Sequence, residues 1–240
     1  MSQISIVLLF ALLPVAGNLA GIALAECVRT PKWLIGASLH AAAGIAIGVV
    51  SVQLMPQILG GTPASLIYGG FAAGALLSLM LSMLVERHKK SARGTAAAWM
   101  VWIAVGADLV GDGVMTGVGS TVTSALGFLI ALSQSVANIP GGFAATANLR
   151  DDGVARNWRI AIAALMVLPV LASAGLGFWL LQDAGRVVQN GALAVIIGVL
   201  LVTTVEDIVP EADAPRPKRW ISTASFAGGF AFLGLLSAYV

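Results

Sequence analysis

Apolar residues along this chain fall into eight long runs, separated by short stretches that hold nearly all of its charge. The runs lie near residues 4–25, 33–58, 64–85, 95–118, 120–147, 159–182, 187–209 and 220–240. Each approaches or exceeds the roughly 20 residues an α-helix needs to cross a bilayer. They are continuous rather than alternating, which argues for helices and against a β-barrel. The pattern predicts an all-α integral membrane protein of eight transmembrane helices. The loops are short, so residues 1–240 form one transmembrane domain with no soluble part.

Composition agrees with that reading. The chain is 58% hydrophobic and 10% charged, outside the range of soluble globular domains. Its partner is the lipid bilayer and not nucleic acid. The net charge of +2 matters less than its placement. Of 13 basic residues, all but Arg186 fall in the loops after the first, third, fifth and seventh runs. Arg29 and Lys32 follow the first, and Arg87, Lys89, Lys90 and Arg93 the third. Arg150, Arg156 and Arg159 follow the fifth, and Arg216, Lys218 and Arg219 the seventh. The positive-inside rule makes those loops cytoplasmic and puts both termini outside. The expected location is a prokaryotic cytoplasmic (inner) membrane. Trp33, Trp99, Trp158 and Trp220 sit at the cytoplasmic ends of their runs, as interfacial anchors do. The single cysteine, Cys27, permits no intrachain disulfide. The N-terminus lacks a basic leader region, so residues 1–25 read as a retained span.

An internal repeat is visible. Leu12-Leu13-Pro14-Val15 recurs as Val167-Leu168-Pro169-Val170, and Gln53-Leu54-Met55-Pro56-Gln57 as Asp207-Ile208-Val209-Pro210-Glu211. Gly69-Gly70-Phe71-Ala72 recurs as Gly228-Gly229-Phe230-Ala231. The offsets are 155, 154 and 159. The expected layout is a first repeat over 4–85, a central pair over 95–147 and a second repeat over 159–240, with inverted topology. Inverted repeats mark transporters, with the site near the midplane where the repeats meet. Gly44-x-x-x-Gly48, Gly70-x-x-x-Gly74 and Gly113-x-x-x-Gly117 read as tight helix crossings.

The candidate chemistry lies in the central pair. Asp108 and Asp112 are four residues apart in an apolar run, so a helix places them on one face. A carboxylate at membrane depth costs about 2.5–3.5 kcal/mol on insertion scales and is a functional candidate by default. The facing segment carries Ser133, Gln134, Asn138, Pro140 and Gly141. Pro140 removes a backbone donor, and with Gly141 and Gly142 it allows a broken helix lining a cavity or a packing kink. Asp108, Asp112 and Asn138 are the candidate metal ligands, and Ser133, Gln134, Pro140 and Gly141 the candidate substrate lining. Glu206, Asp207 and Glu211 read as a solvated rim or an exit site. His40 reads as a packed histidine. Nothing supports an enzyme: there is no nucleophile–base triad, nucleotide loop or redox motif.

The arrangement resembles the ZIP family of metal transporters over nearly the whole chain. Asp108-Leu109-Val110-Gly111-Asp112-Gly113 is similar to the family's His-Asn-x-Pro-Glu-Gly motif in span four. Ala137-Asn138-Ile139-Pro140-Gly141-Gly142 resembles the span-five motif with ligands removed. Glu206-Asp207-Ile208-Val209-Pro210-Glu211 is similar to the family's His-Glu-x-x-Pro-Glu pattern. His88 alone stands where the family's loop is histidine-rich. The resemblance implies a 3+2+3 inverted-repeat bundle, an elevator-like movement of spans one, four, five and six, and a homodimer. In that register Asp108 replaces a ligand histidine and Asp112 a ligand glutamate. Ala137 and Gly141 replace two more ligands, and span six has no acid between Ile160 and Leu181. The remaining set is all oxygen, which favours Mg²⁺, Mn²⁺ or Ca²⁺ over a two-metal zinc centre. The implied function is transport of a cation, a divalent metal. Two alternatives stay open: a small organic solute with the acids coupling protons, or a non-transporting membrane assembly protein on the same fold.

Overall fold

The computed structural model describes residues 2–28, 31–91, 95–214 and 216–239, without the side chains of 85–102, 104, 144, 148 and 239. Arg29, Arg93, and the side chains of Arg87, His88, Lys89, Lys90 and Trp99 lie outside the described residues. Among the described residues every regular element is helical. The helices are α1 (Gln3–Cys27), α2 (Lys32–Leu59), α3 (Ala64–Ser91), α4 (Thr95–Val122) and α5 (Ser124–Asp151). They continue with α6 (Arg156–Leu181), α7 (Arg186–Asp213) and α8 (Arg219–Tyr239). Among the described residues seven helices are long and apolar enough to cross a membrane. The 28-residue α4 stands outside that set, with much of its first turns undescribed at the side-chain level.

The prolines act differently from place to place. Pro14 lies inside an unbroken α1. Pro169 follows a break at Met166, where the chain turns between Arg156–Leu165 and Val167–Leu181. Two π-helical segments interrupt the α pattern, Val49–Leu54 in α2 and Thr204–Ile208 in α7. Each ends just before a proline, Pro56 or Pro210. A proline has no N–H for the preceding turn, and the wider π turn absorbs the missing bond without ending the helix. In consequence α7 runs on to Asp213, beyond the expected end near 209.

The helices pack in pairs: α1 along α5, α4 along α6, α3 along α7 and α2 along α8, with α4 also against α5. Small residues set the closeness. A Cβ on Gly44 would stand 2.0 Å from the Phe226 carbonyl oxygen of α8, and one on Gly229 2.1 Å from that of Ala41. On the other side, a Cβ on Gly74 would stand 2.0 Å from the Val195 carbonyl oxygen, and one on Gly198 2.2 Å from that of Phe71. Even alanine would force those backbones apart. Side chains tie the same pairs. Gln53 Nε2 donates to Ser237 Oγ at 3.1 Å, and Ser82 Oγ donates to Asp207 Oδ2 at 3.0 Å.

One core gathers Ile45, Val50, Leu54, Ile67, Met115, Val118, Ile130, Leu193 and Leu233 from six helices. A second gathers Val7, Ala11, Val15, Leu109, Val170, Ala174 and Phe178 where α1, α4 and α6 meet. The polar site lies beside this second core. Trp33, Trp158 and Trp220 are exposed, which suits interfacial anchors.

Candidate cation site

The site is built where α4 meets α5 and α1. Helical spacing puts Asp108 and Asp112 one turn apart on α4. Asp112 is 3% exposed, whereas Asp108 is accessible. Asn138 of α5 is buried and donates from Nδ2 to Asp112 Oδ2 at 2.6 Å. The same Nδ2 lies 3.4 Å from the Pro14 carbonyl oxygen of α1. That carbonyl is set by α1 itself, which Gly17 and Gly21 bring onto the α5 backbone. A Cβ on Gly17 would stand 1.8 Å from the Ser135 carbonyl oxygen. The structure thus joins Asp112 and Asn138 directly.

Asp108 lies within electrostatic reach of Asp112 and of Asp207 on α7. Asp207 was expected at a solvated rim or an exit site. It sits in the π segment, exposed and bonded to Ser82, within electrostatic reach of Asp108. The continuation of α7 past Pro210 puts Asp207 more than a turn inside its helix. Glu206 and Glu211 are exposed on the same stretch. His40 is buried, its Nδ1 2.8 Å from the Gly36 carbonyl oxygen and its Nε2 3.2 Å from Asp213 Oδ1, the packed role expected of it.

The rest of the expected lining divides. Ser133 donates to its own helix at Leu129 O, 2.7 Å away. Gln134 Nε2 donates to Met115 Sδ at 3.4 Å. Neither of these bonds reaches the acids. Pro140 is buried inside a continuous α5, so of the two readings the broken helix does not occur. The lost bond is tolerated in place, and the wide turns sit in α2 and α7 instead. Open space lies beside Gly141.

Sequence reading passed over Asn18. It is 1% exposed, and its Oδ1 has no hydrogen-bond partner among the described residues. Thr116 Oγ1, one turn past Asp112, is likewise buried without one. The signal was present, because a lone amide inside an apolar span is costly and marks function as a carboxylate does. Among the described residues, no group of three or more His, Cys, Asp or Glu side chains is arranged to hold a metal ion. What the helices bring near one another is two carboxylates one turn apart, one of them bonded to the Asn138 amide; side-chain oxygens of this kind suit hard cations. No protein-family model matches this chain, and no curated protein matches it either.

Proposed function

We propose that the protein is a ZIP-like, eight-span inverted-repeat transporter that moves a divalent cation by alternating access. The observation that carries this reading is the buried Asp112 carboxylate, held by Asn138 in the middle of a helix bundle with Asp108 one turn away. A carboxylate placed there at the cost of insertion needs a positive partner. Asp207 adds a third acid on α7.

The inverted repeat is supported by the contacts of the outer pairs. Gly44 meets Phe226 and Gly198 meets Phe71, while Gly229 meets Ala41 and Gly74 meets Val195. Gln53 bonds Ser237 and Asp207 bonds Ser82. Each contact maps onto its counterpart by a shift of 154 or 155 residues. The two π segments obey the same shift. In this register Gly229 corresponds to Gly74, which replaces the offset of 159 expected from Gly69 and Gly228. Gln53 then stands where Asp207 stands in the other copy, so only one half carries the acid.

The basic loops set the orientation. In a Cys27→Ser background, a cysteine placed in 87–93 is expected to label only from the cytoplasm, and one in 59–63 only from outside. The opposite sidedness would reverse the topology.

The functional test is a set of binding isotherms for Mn²⁺, Mg²⁺ and Zn²⁺ on the purified protein, with uptake of the bound ion into proteoliposomes. Saturable binding with Mg²⁺ or Mn²⁺ matched by uptake is expected. Should none of them bind at millimolar concentration, the cation reading is lost, and a small organic solute with proton coupling takes its place.

A further inference from the structure

The four contacts around Asn138 fix the levels of three helices. On α5, Asn138 meets Pro14 of α1, and one turn on Gly142 meets Asn18. The helices α1 and α5 therefore run in the same direction here. On α4, Asp112 meets Asn138 and Met115 meets Gln134, so α4 runs the other way. One turn, about 5.4 Å, from the Asp112–Asn138 level therefore lie Asn18 and Gly142, in contact with each other, and at the same height Asp108. Gly142 is the residue that makes room. A Cβ at that position would stand 2.5 Å from Asn18 Oδ1, so no larger residue can sit beside this amide unless it moves.

Asn18 is the only one of these groups whose role is unaccounted for. It is 1% exposed, and its carbonyl oxygen accepts no hydrogen bond among the described residues. Within a membrane no bulk water reaches such an oxygen, so a buried amide carbonyl without a donor is a group in want of a positive partner. A side-chain oxygen at this level adds coordination to that of the two carboxylates. Calcium-like and manganese-like ions accept mixed shells of carboxylate and amide oxygen, whereas zinc favours nitrogen and sulfur.

We propose that Asn18 is a ligand of the transported cation, its Oδ1 joining Asp108 and Asp112 in an all-oxygen shell that selects Mn²⁺ and Mg²⁺ over Zn²⁺. The inference rests on the cation reading above. It also assigns α1 a direct part in binding, with Gly142 as the residue that leaves the amide free to turn toward the ion.

The test is Mn²⁺ binding to wild type, Asn18→Ala and Asn18→Asp, together with the thermal midpoint of each in chelator. Asn18→Ala is expected to weaken Mn²⁺ binding by about 10–100-fold, the scale on which supporting groups of a metal site act. Asn18→Asp keeps the shape and the oxygen, and is expected to bind Mn²⁺ at least as tightly as wild type. Adding Mn²⁺ should raise the midpoint of wild type and Asn18→Asp, and that of Asn18→Ala much less. If wild type binds Mn²⁺ and Asn18→Ala binds it equally well, the assignment of Asn18 is overturned while the cation reading stands. If Asn18→Ala does not fold, Asn18→Asp decides alone: weaker binding than wild type overturns the assignment. If wild type binds none of the three ions, the cation reading fails first, and this ligand fails with it.

Discussion

Asp112→Asn is expected to abolish cation binding while leaving the fold in place. The substitution deletes the charge and keeps the size. The Asn138 amide that now donates to Asp112 Oδ2 would still find a carbonyl oxygen at the same spot. Little destabilisation follows, because the donor stays satisfied and a buried charge has been removed. Binding loses its central anion, and a loss of at least hundredfold in affinity is expected, about 2.8 kcal/mol or more. Asp108→Asn should cost less, since Asp108 is accessible and water can replace part of its role. Ligating carboxylates must be unprotonated, so cation binding should release protons and weaken as pH falls. The measurement is a pair of Mn²⁺ isotherms at several pH values, on wild type and on Asp112→Asn. A mutant that binds as wild type does would take Asp112 out of the site.

The apolar runs were legible because a bilayer demands them, and each became a helix close to its expected bounds. The small-residue spacings were legible for the same kind of reason: Gly44, Gly74, Gly113 and Gly117 lie against neighbouring backbones. The Asp112–Asn138 contact followed from pairing two central helices that each carry one polar face. The π segments left no mark in the sequence beyond Pro56 and Pro210, since a wide turn uses ordinary residues such as Val49 and Thr204. That hidden feature sets Asp207 inside the helix, where it bonds Ser82, a contact its sequence neighbours Arg216 and Lys218 did not suggest. The seventh run was expected to end near 209, and the π turn carries its helix past Pro210 to Asp213. Asn18 was missed for a different reason. Charge drew attention to Asp108 and Asp112, while a single amide between Gly17 and Leu19 gave no periodic signal. Its significance comes from Gly142 on a distant segment, a contact that one-dimensional spacing does not reveal.

Breaking the ion pair at the basic end of α1 should have the largest effect on stability. Glu26, near the end of α1, receives Arg159 of α6 twice on one oxygen, at 2.7 Å from Nε and 2.6 Å from Nη2. Its other oxygen lies 3.5 Å from Arg156 Nε. Both members of the main pair are buried, with side chains 7% and 10% exposed. Arg159 Nη1 also donates to the Val154 carbonyl, and Arg150 of α5 donates to the Ala25 carbonyl of α1. Three helices are therefore joined at one corner through charge-assisted bonds. Arg159→Ala leaves Glu26 buried with only the longer contact to the exposed Arg156. Removing one partner of a buried pair costs about 3–5 kcal/mol, most of it from the uncompensated charge. Arg159→Lys should recover little, because an ammonium cannot hold Glu26 and the Val154 carbonyl with the same planar fork. The double variant Glu26→Gln, Arg159→Met removes both charges and is expected to be more stable than Arg159→Ala alone. Thermal unfolding of the four proteins in detergent, without cation, is the measurement. Equal midpoints for wild type and Arg159→Ala would show that the corner does not hold the helices together, whatever its geometry.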